Sequence, residues 1–115
     1  MANIARPKYD ASIYGLVPAS NFLQSDLDII PNGQVWEINK IIFSDQGIGD
    51  NKSGEFLVEF GTSIIARGFV SGSIIEINVD KSYMGDGIKR FRITRTNNSS
   101  LEKNMLVSIE GIKRL

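Results

Sequence analysis

Cysteine and histidine are both absent from this 115-residue chain, and proline and tryptophan are scarce, at three and one. The first absence excludes disulfides, thiolate nucleophiles and Cys-ligated zinc; the second removes the usual general base and the commonest metal ligand. No apolar run approaches the ~20 residues that cross a bilayer as a helix. The opening MANIARPKYD also lacks the apolar stretch of a signal peptide, so no membrane partner is expected. Charge of one sign is missing too. The 13 Lys and Arg stand against 13 Asp and Glu, which argues against a dedicated nucleic-acid binder. At roughly 100–150 residues per domain, the length is that of one domain with its own core.

From Phe22 onward the sequence consists of short apolar runs broken by Gly, Asn, Asp and Ser, the pattern of an all-β domain. Period-two alternation predicts a strand over 55–60, with Phe56, Val58 and Phe60 inward. The same pattern predicts strands over 74–79 (Ile75, Ile77 and Val79 inward), 89–96 (Phe91 and Ile93) and 104–109 (Met105, Val107 and Ile109). Gly61-Thr62 offers a turn from which 63–67 returns as a partner strand.

The run 35–43 breaks its own alternation, because Trp36 and Ile38 fall on one face and Ile41 and Phe43 on the other. A β-bulge near Asn39-Lys40 would bring all four inward. Residues 22–30 read as another strand, ending at Pro31-Asn32-Gly33, where proline fixes φ and Asn-Gly supplies positive φ values. Helix signals amount to single turns at 20–26 and 99–104, too short to pack. Six to eight short strands predict an antiparallel β-sandwich or barrel over 21–115, with Trp36, Phe43, Phe56, Phe60 and Phe91 in its core.

Residues 1–20 show neither strand alternation nor helical periodicity, yet Ile4, Tyr9, Ile13, Tyr14, Leu16 and Val17 are too apolar for a free tail. Two readings stand. One is an extra edge strand laid on the sandwich; the other is an extended arm that docks on a neighbour, with Arg6, Lys8 and Tyr9 at its contact end. Charge placement carries a similar pair of readings. Residues 20–60 hold seven acids and two bases, whereas 81–115 hold eight bases and three acids. Either the halves pair as neighbouring strands, or acidic and basic faces meet between identical subunits, with Arg90 and Arg92 on an outward strand face.

Catalytic and metal chemistry finds little footing. In the loop 44–54, Asp45, Asp50 and Asn51 could offer oxygens to calcium, but the spacing fails the EF-hand pattern and Lys52 adds a repulsive charge; a solvated hairpin loop is preferred. Asp86 reads as a turn residue. Glu55 and Glu59 share a strand face, too far apart for a retaining glycosidase pair and nearer an inverting one, but such alternating acids are normally the wet side of a strand. No histidine is present to activate a serine, and Gly47-Ile48-Gly49 and Gly85-Asp86-Gly87 lack the context of phosphate loops. Neither cofactor nor metal is expected.

The stretch 30–44, IPNGQVWEINKIIFS, resembles a pattern of small virion proteins of tailed bacteriophages, in which a Pro-x-Gly turn leads into an aromatic-x-Ile strand and a Gly-rich loop. Val107-Ser108-Ile109-Glu110-Gly111 is similar to a later strand of the same layout, and the resemblance covers roughly 22–112. It implies a jelly-roll-like all-β sandwich with an N-terminal arm, often trimeric, without catalytic residues. Its implied role is that of a capsid decoration (cement) protein, made in the host cytoplasm and sitting on the virion. The implied partners are copies of itself, as a homotrimer, and the major capsid protein, reached through Arg6, Lys8, Tyr9, Tyr14, Arg90 and Arg92. The alternative is a carbohydrate-binding or receptor-binding module of a phage tail, with Tyr14 and Tyr83 as loop aromatics.

Overall fold

The computed structural model describes residues 7–46 and 54–114. Eight strands follow in order: β1 (Lys8–Val17), β2 (Asn21–Ile29), β3 (Val35–Gln46), β4 (Gly54–Phe60), β5 (Ser63–Val70), β6 (Ile74–Met84), β7 (Arg90–Asn97) and β8 (Lys103–Arg114). They build two antiparallel four-stranded sheets, a first ordered β1-β8-β3-β6 and a second ordered β2-β7-β4-β5. The pairs are nested: β4 with β5, β3 with β6, β2 with β7, β1 with β8. Such nesting is one long antiparallel ribbon folded over into two layers. The expected all-β sandwich is what forms.

Alternation decides which side chains fill the space between the layers. Strand β4 alternates buried and half-buried residues along its whole length, so Phe56, Val58 and Phe60 lie inside. Phe56 stacks on Phe43 of the facing sheet, with ring centroids 4.9 Å apart. Phe91 touches Phe60 at 4.9 Å and Tyr9 at 5.5 Å, and Tyr9 meets Trp36 at 4.7 Å. Fully burying each such side chain stabilises by ~1.5–3 kcal/mol, so this aromatic core outweighs any single surface contact.

The bulge in β3 sits where the broken alternation placed it. Against β8 the register passes from Ile38↔Gly111 to Lys40↔Glu110, leaving Asn39 as the extra residue, whereas against β6 it passes from Ile38↔Lys81 to Lys40↔Asn78, so there the extra residue is on β6. Trp36, Ile38, Ile41 and Phe43 are all buried as a result. The bulge also pushes the Glu37 carbonyl toward β8, where a Cβ on Gly111 would come within 2.2 Å of it. Glycine is required there for space. At the Pro31-Asn32-Gly33 turn, only Gly33 takes positive φ, at 83°, and the Gln34 N–H donates to Pro31 O at 3.1 Å.

Two expectations are corrected. Neither single-turn helix forms. Residues 21–26 belong to β2 and pair with β7, and 99–101 is a bend held by side chains, with 103 and 104 already in β8. There the Ser99 N–H donates to Asn97 Oδ1 at 2.9 Å and Ser99 Oγ to Leu101 O at 2.6 Å. Short polar side chains that bond the nearby backbone compete with helix. The reading of 1–20 as irregular also fails for residues 8–17: β1 pairs with β8 through ten consecutive residues, from Lys8↔Ile112 to Val17↔Lys103. Of the two readings, the edge strand is the one that describes residues 8–17.

Candidate interaction surface

The outer face of the first sheet divides into a charged half and an uncharged half. Across the four strands, Tyr14, Leu106, Ser44 and Ile74 lie in one register row. The neighbouring rows are Leu16–Asn104 and Ser12–Ser108–Ile42–Glu76. Antiparallel partners directly opposite share a face, so these residues form one continuous patch. Its only charge is Glu76 at the edge, 3.9 Å from Lys40. Tyr14, Leu16 and Ile74 are 57%, 52% and 66% exposed, while Leu106 and Ile42 between them are half-buried. The other half carries Lys8, Asp10, Glu37, Lys40, Glu110 and Arg114, with a shallow depression lined by Lys8, Asp10, Asn39 and Glu110.

Apolar residues reach this outer face because the sequence places them in consecutive runs. Ile41-Ile42, Ile74-Ile75 and Met105-Leu106-Val107 cannot all point inward on a strand of period two. Those doublets were the available signal for Ile42, Ile74 and Leu106, which the search for alternation passed over.

The six residues expected to touch a partner are scattered. Arg6 lies outside the described residues. Lys8 is exposed on β1, in the charged half, and Tyr14 is exposed in the uncharged patch. Tyr9 faces inward at 3% exposure, so its ring belongs to the core. Arg90 and Arg92 are exposed on the outer face of the second sheet, where both approach Asp26, at 4.0 and 2.8 Å. The hydrogen bond from Arg92, followed by the charges of Arg92 and Arg90, holds the Asp26 carboxyl below the usual range.

The charge split is thus taken up within the chain, at least in part. Asp26 with Arg90 and Arg92, Glu37 with Arg114, and Asp45 with Lys103 each join the acid-rich half to the base-rich half. Pairing of neighbouring strands accounts for the asymmetry without a second subunit. Glu55 bonds Arg67 at 2.9 Å, and four residues of extended chain set it ~13 Å from Glu59, beyond an inverting pair. Asp45 has a buried lysine as partner, and Asp50 and Asn51 of the calcium reading lie outside the described residues. Trp36 is 4% exposed and its Nε1–H donates to Gln34 Oε1 at 3.0 Å. Tyr83 is half-buried with its ring edge on Phe60, at 5.6 Å.

No family model matches the chain, and no curated protein matches it. Among solved structures it is similar to the Drosophila NLP core, a structure described for pentamer formation and histone binding. That likeness covers 90% of this chain and 98% of the other, at 15% identity and a TM-score of 0.38. It is similar also to dimeric latent PorU from Porphyromonas gingivalis, over 93% of this chain but 13% of PorU, at 9% identity and a TM-score of 0.42. At these scores neither likeness bears on function.

Proposed function

We propose that this protein is a non-enzymatic structural protein that associates with copies of itself and decorates a bacteriophage capsid. The uncharged patch around Tyr14, Leu16 and Ile74 is the observation that carries the reading. Three large apolar side chains held at more than half exposure on one flat sheet face are costly to leave in water. Covering them with a like surface removes that cost. The half-buried Leu106 and Ile42 make the patch continuous, and the serines and Asn104 around it bring no charge to desolvate.

The stretch that is similar to virion proteins, residues 30–44, spans the β2–β3 turn and most of β3, and its counterpart at 107–111 lies in β8. Both contribute to the patch, through Ile42 and Ser108, while Ser44 in the Tyr14 row is buried beneath it. A decoration protein built this way would oppose its own first sheet to a neighbour, as a trimer, and grip the major capsid protein with the remaining rim. Light scattering at increasing concentration tests the assembly step, with a trimer expected and a monomer at the highest concentration overturning it. Co-sedimentation with particles assembled from a tailed-phage major capsid protein tests the virion step, with binding expected and its absence overturning that step.

A further inference from the structure

One end of the sandwich interior holds a pair of groups that the assembly role does not use. Lys103 Nζ lies 3.0 Å from Asp45 Oδ2, and the two side chains are 1% and 0% exposed. They stand on adjacent strands, β8 and β3: Asp45 pairs with Met105, two residues from Lys103. The surroundings are dry. Val17, the register partner of Lys103, is fully buried, as is Met105. On β4, a Cβ at Gly54 would stand only 3.4 Å from Asp45 Oδ2. The second carboxylate oxygen, Asp45 Oδ1, is buried with no hydrogen bond. Arg95, 5% exposed, turns its guanidinium into the same end and donates to the carbonyls of Gly15 and Met105. Among the described residues this end holds one buried carboxylate, with one of its oxygens unbonded, and such an interior is a costly place for full charges.

We infer that Lys103 and Asp45 condense into an intramolecular amide that joins β8 to β3. The ammonium first gives one proton to the carboxylate, leaving an amine beside a carboxylic acid. Nζ then adds to Cγ, one C–O bond breaks, and the released hydroxyl departs with a proton from nitrogen as water. An ammonium and a carboxylate become one secondary amide and one water. Net charge is unchanged, and no oxidant, reductant or co-reactant is consumed. The site favours this outcome on two counts: it holds Nζ 3.0 Å from an oxygen of the carboxylate it would attack, on two strands already fixed by their ladder, and the amide formed carries no charge. The bond would also close a covalent loop through residues 46–102 and so restrict the unfolded chain.

Intact mass spectrometry of the full chain in denaturing solvent decides the matter. The expected mass lies one water below that of the sequence, with Lys103→Arg and Asp45→Ala each at their full sequence masses. A tryptic digest should contain the Asp45 and Lys103 peptides as one linked species, missing from Lys103→Arg. A wild-type chain that keeps its full sequence mass after folding and prolonged incubation overturns the inference. The readout is made on unfolded protein, so a variant that folds poorly does not obscure it, and it is independent of whether the protein assembles.

Discussion

Tyr9 brings a hydroxyl into the core and gives it no hydrogen bond there. Burial, and next the charge of Asp28 together with the pull of its carboxylate on the hydroxyl proton, raise its pKa above the ordinary tyrosine value, although the two do not meet in good hydrogen-bond geometry. The unfolded tyrosine ionises near pH ~10 while the folded one stays neutral. Its contribution to stability is therefore complete below pH ~10 and declines as pH rises toward the folded pKa. Tyr9→Phe should flatten that decline, leaving the part due to Tyr83, which burial raises as well. At neutral pH the same variant should gain about 1 kcal/mol if Asp28 lies too poorly placed to satisfy the hydroxyl, and lose a similar amount if it does satisfy it, because a buried unsatisfied hydroxyl costs ~1–3 kcal/mol. Urea melts of both proteins at neutral and alkaline pH measure both effects, and a loss at neutral pH would show that the hydroxyl has a partner after all. Gly111 makes the opposite kind of point, about space. A methyl group there meets the Glu37 carbonyl at 2.2 Å, whereas one at Gly54 meets the mobile end of Met105 at 2.5 Å. Backbone cannot yield as a methionine tip does. Gly111→Ala should cost about 3 kcal/mol, at the upper end for overpacking, and Gly54→Ala clearly less.

At the level of elements, β1 is the strand whose role removal would expose. It buries Tyr9 and Val17 in the core and covers the edge of β8 through ten register pairs. A chain lacking residues 1–17 should lose cooperative unfolding and aggregate, since β8 would become an open edge beside an emptied aromatic cluster. An arm that docked elsewhere would be dispensable; a truncated protein with an unchanged melting curve would restore that reading. Across the second sheet, Asp26 and Arg92 form a ladder pair, and the lowered Asp26 pKa ties it to pH. Its stabilisation is present above the ordinary carboxylate value and disappears as pH falls through the lowered folded one. Arg92→Gln should return the Asp26 titration, followed by carboxyl NMR, toward ~3.9.

These cases show what could be read from residues alone. Strands with strict alternation, such as 55–60 and 104–109, were legible because one dry face demands period two. The bulge was legible because Trp36, Ile38, Ile41 and Phe43 could share a core in no other way. Strand β1 was legible only as one of two readings, because it carries Tyr14 and Leu16 on the face where polar residues were expected. The same apolar residues that hid the strand make the candidate surface, so fold and site were obscured by one cause.

For the whole molecule, the question is which of its two broad faces meets another protein. Both expose large apolar groups: Tyr14, Leu16 and Ile74 on the first sheet, Phe22, Ile64 and Phe69 on the second. Their settings differ. On the second sheet the row Phe22–Thr96–Glu55–Phe69 sets the two rings at opposite edges, with Arg67 bonded to Glu55 and over the Phe69 ring at 5.7 Å. Asp26, Arg92 and Glu59 follow in the ladder below. Covering that face would desolvate a charge network; covering the uncharged half of the first sheet would not. Leu16→Glu and Ile74→Glu place charge at sites already more than half exposed, so the monomer should keep its melting temperature. If assembly uses the first sheet, each should weaken association by tenfold or more, ~1.4 kcal/mol, as measured by sedimentation equilibrium. Phe69→Glu, on the opposite face, should leave association as it is. The reverse pattern would move the interface to the second sheet and return Arg90 and Arg92 to consideration as contact residues.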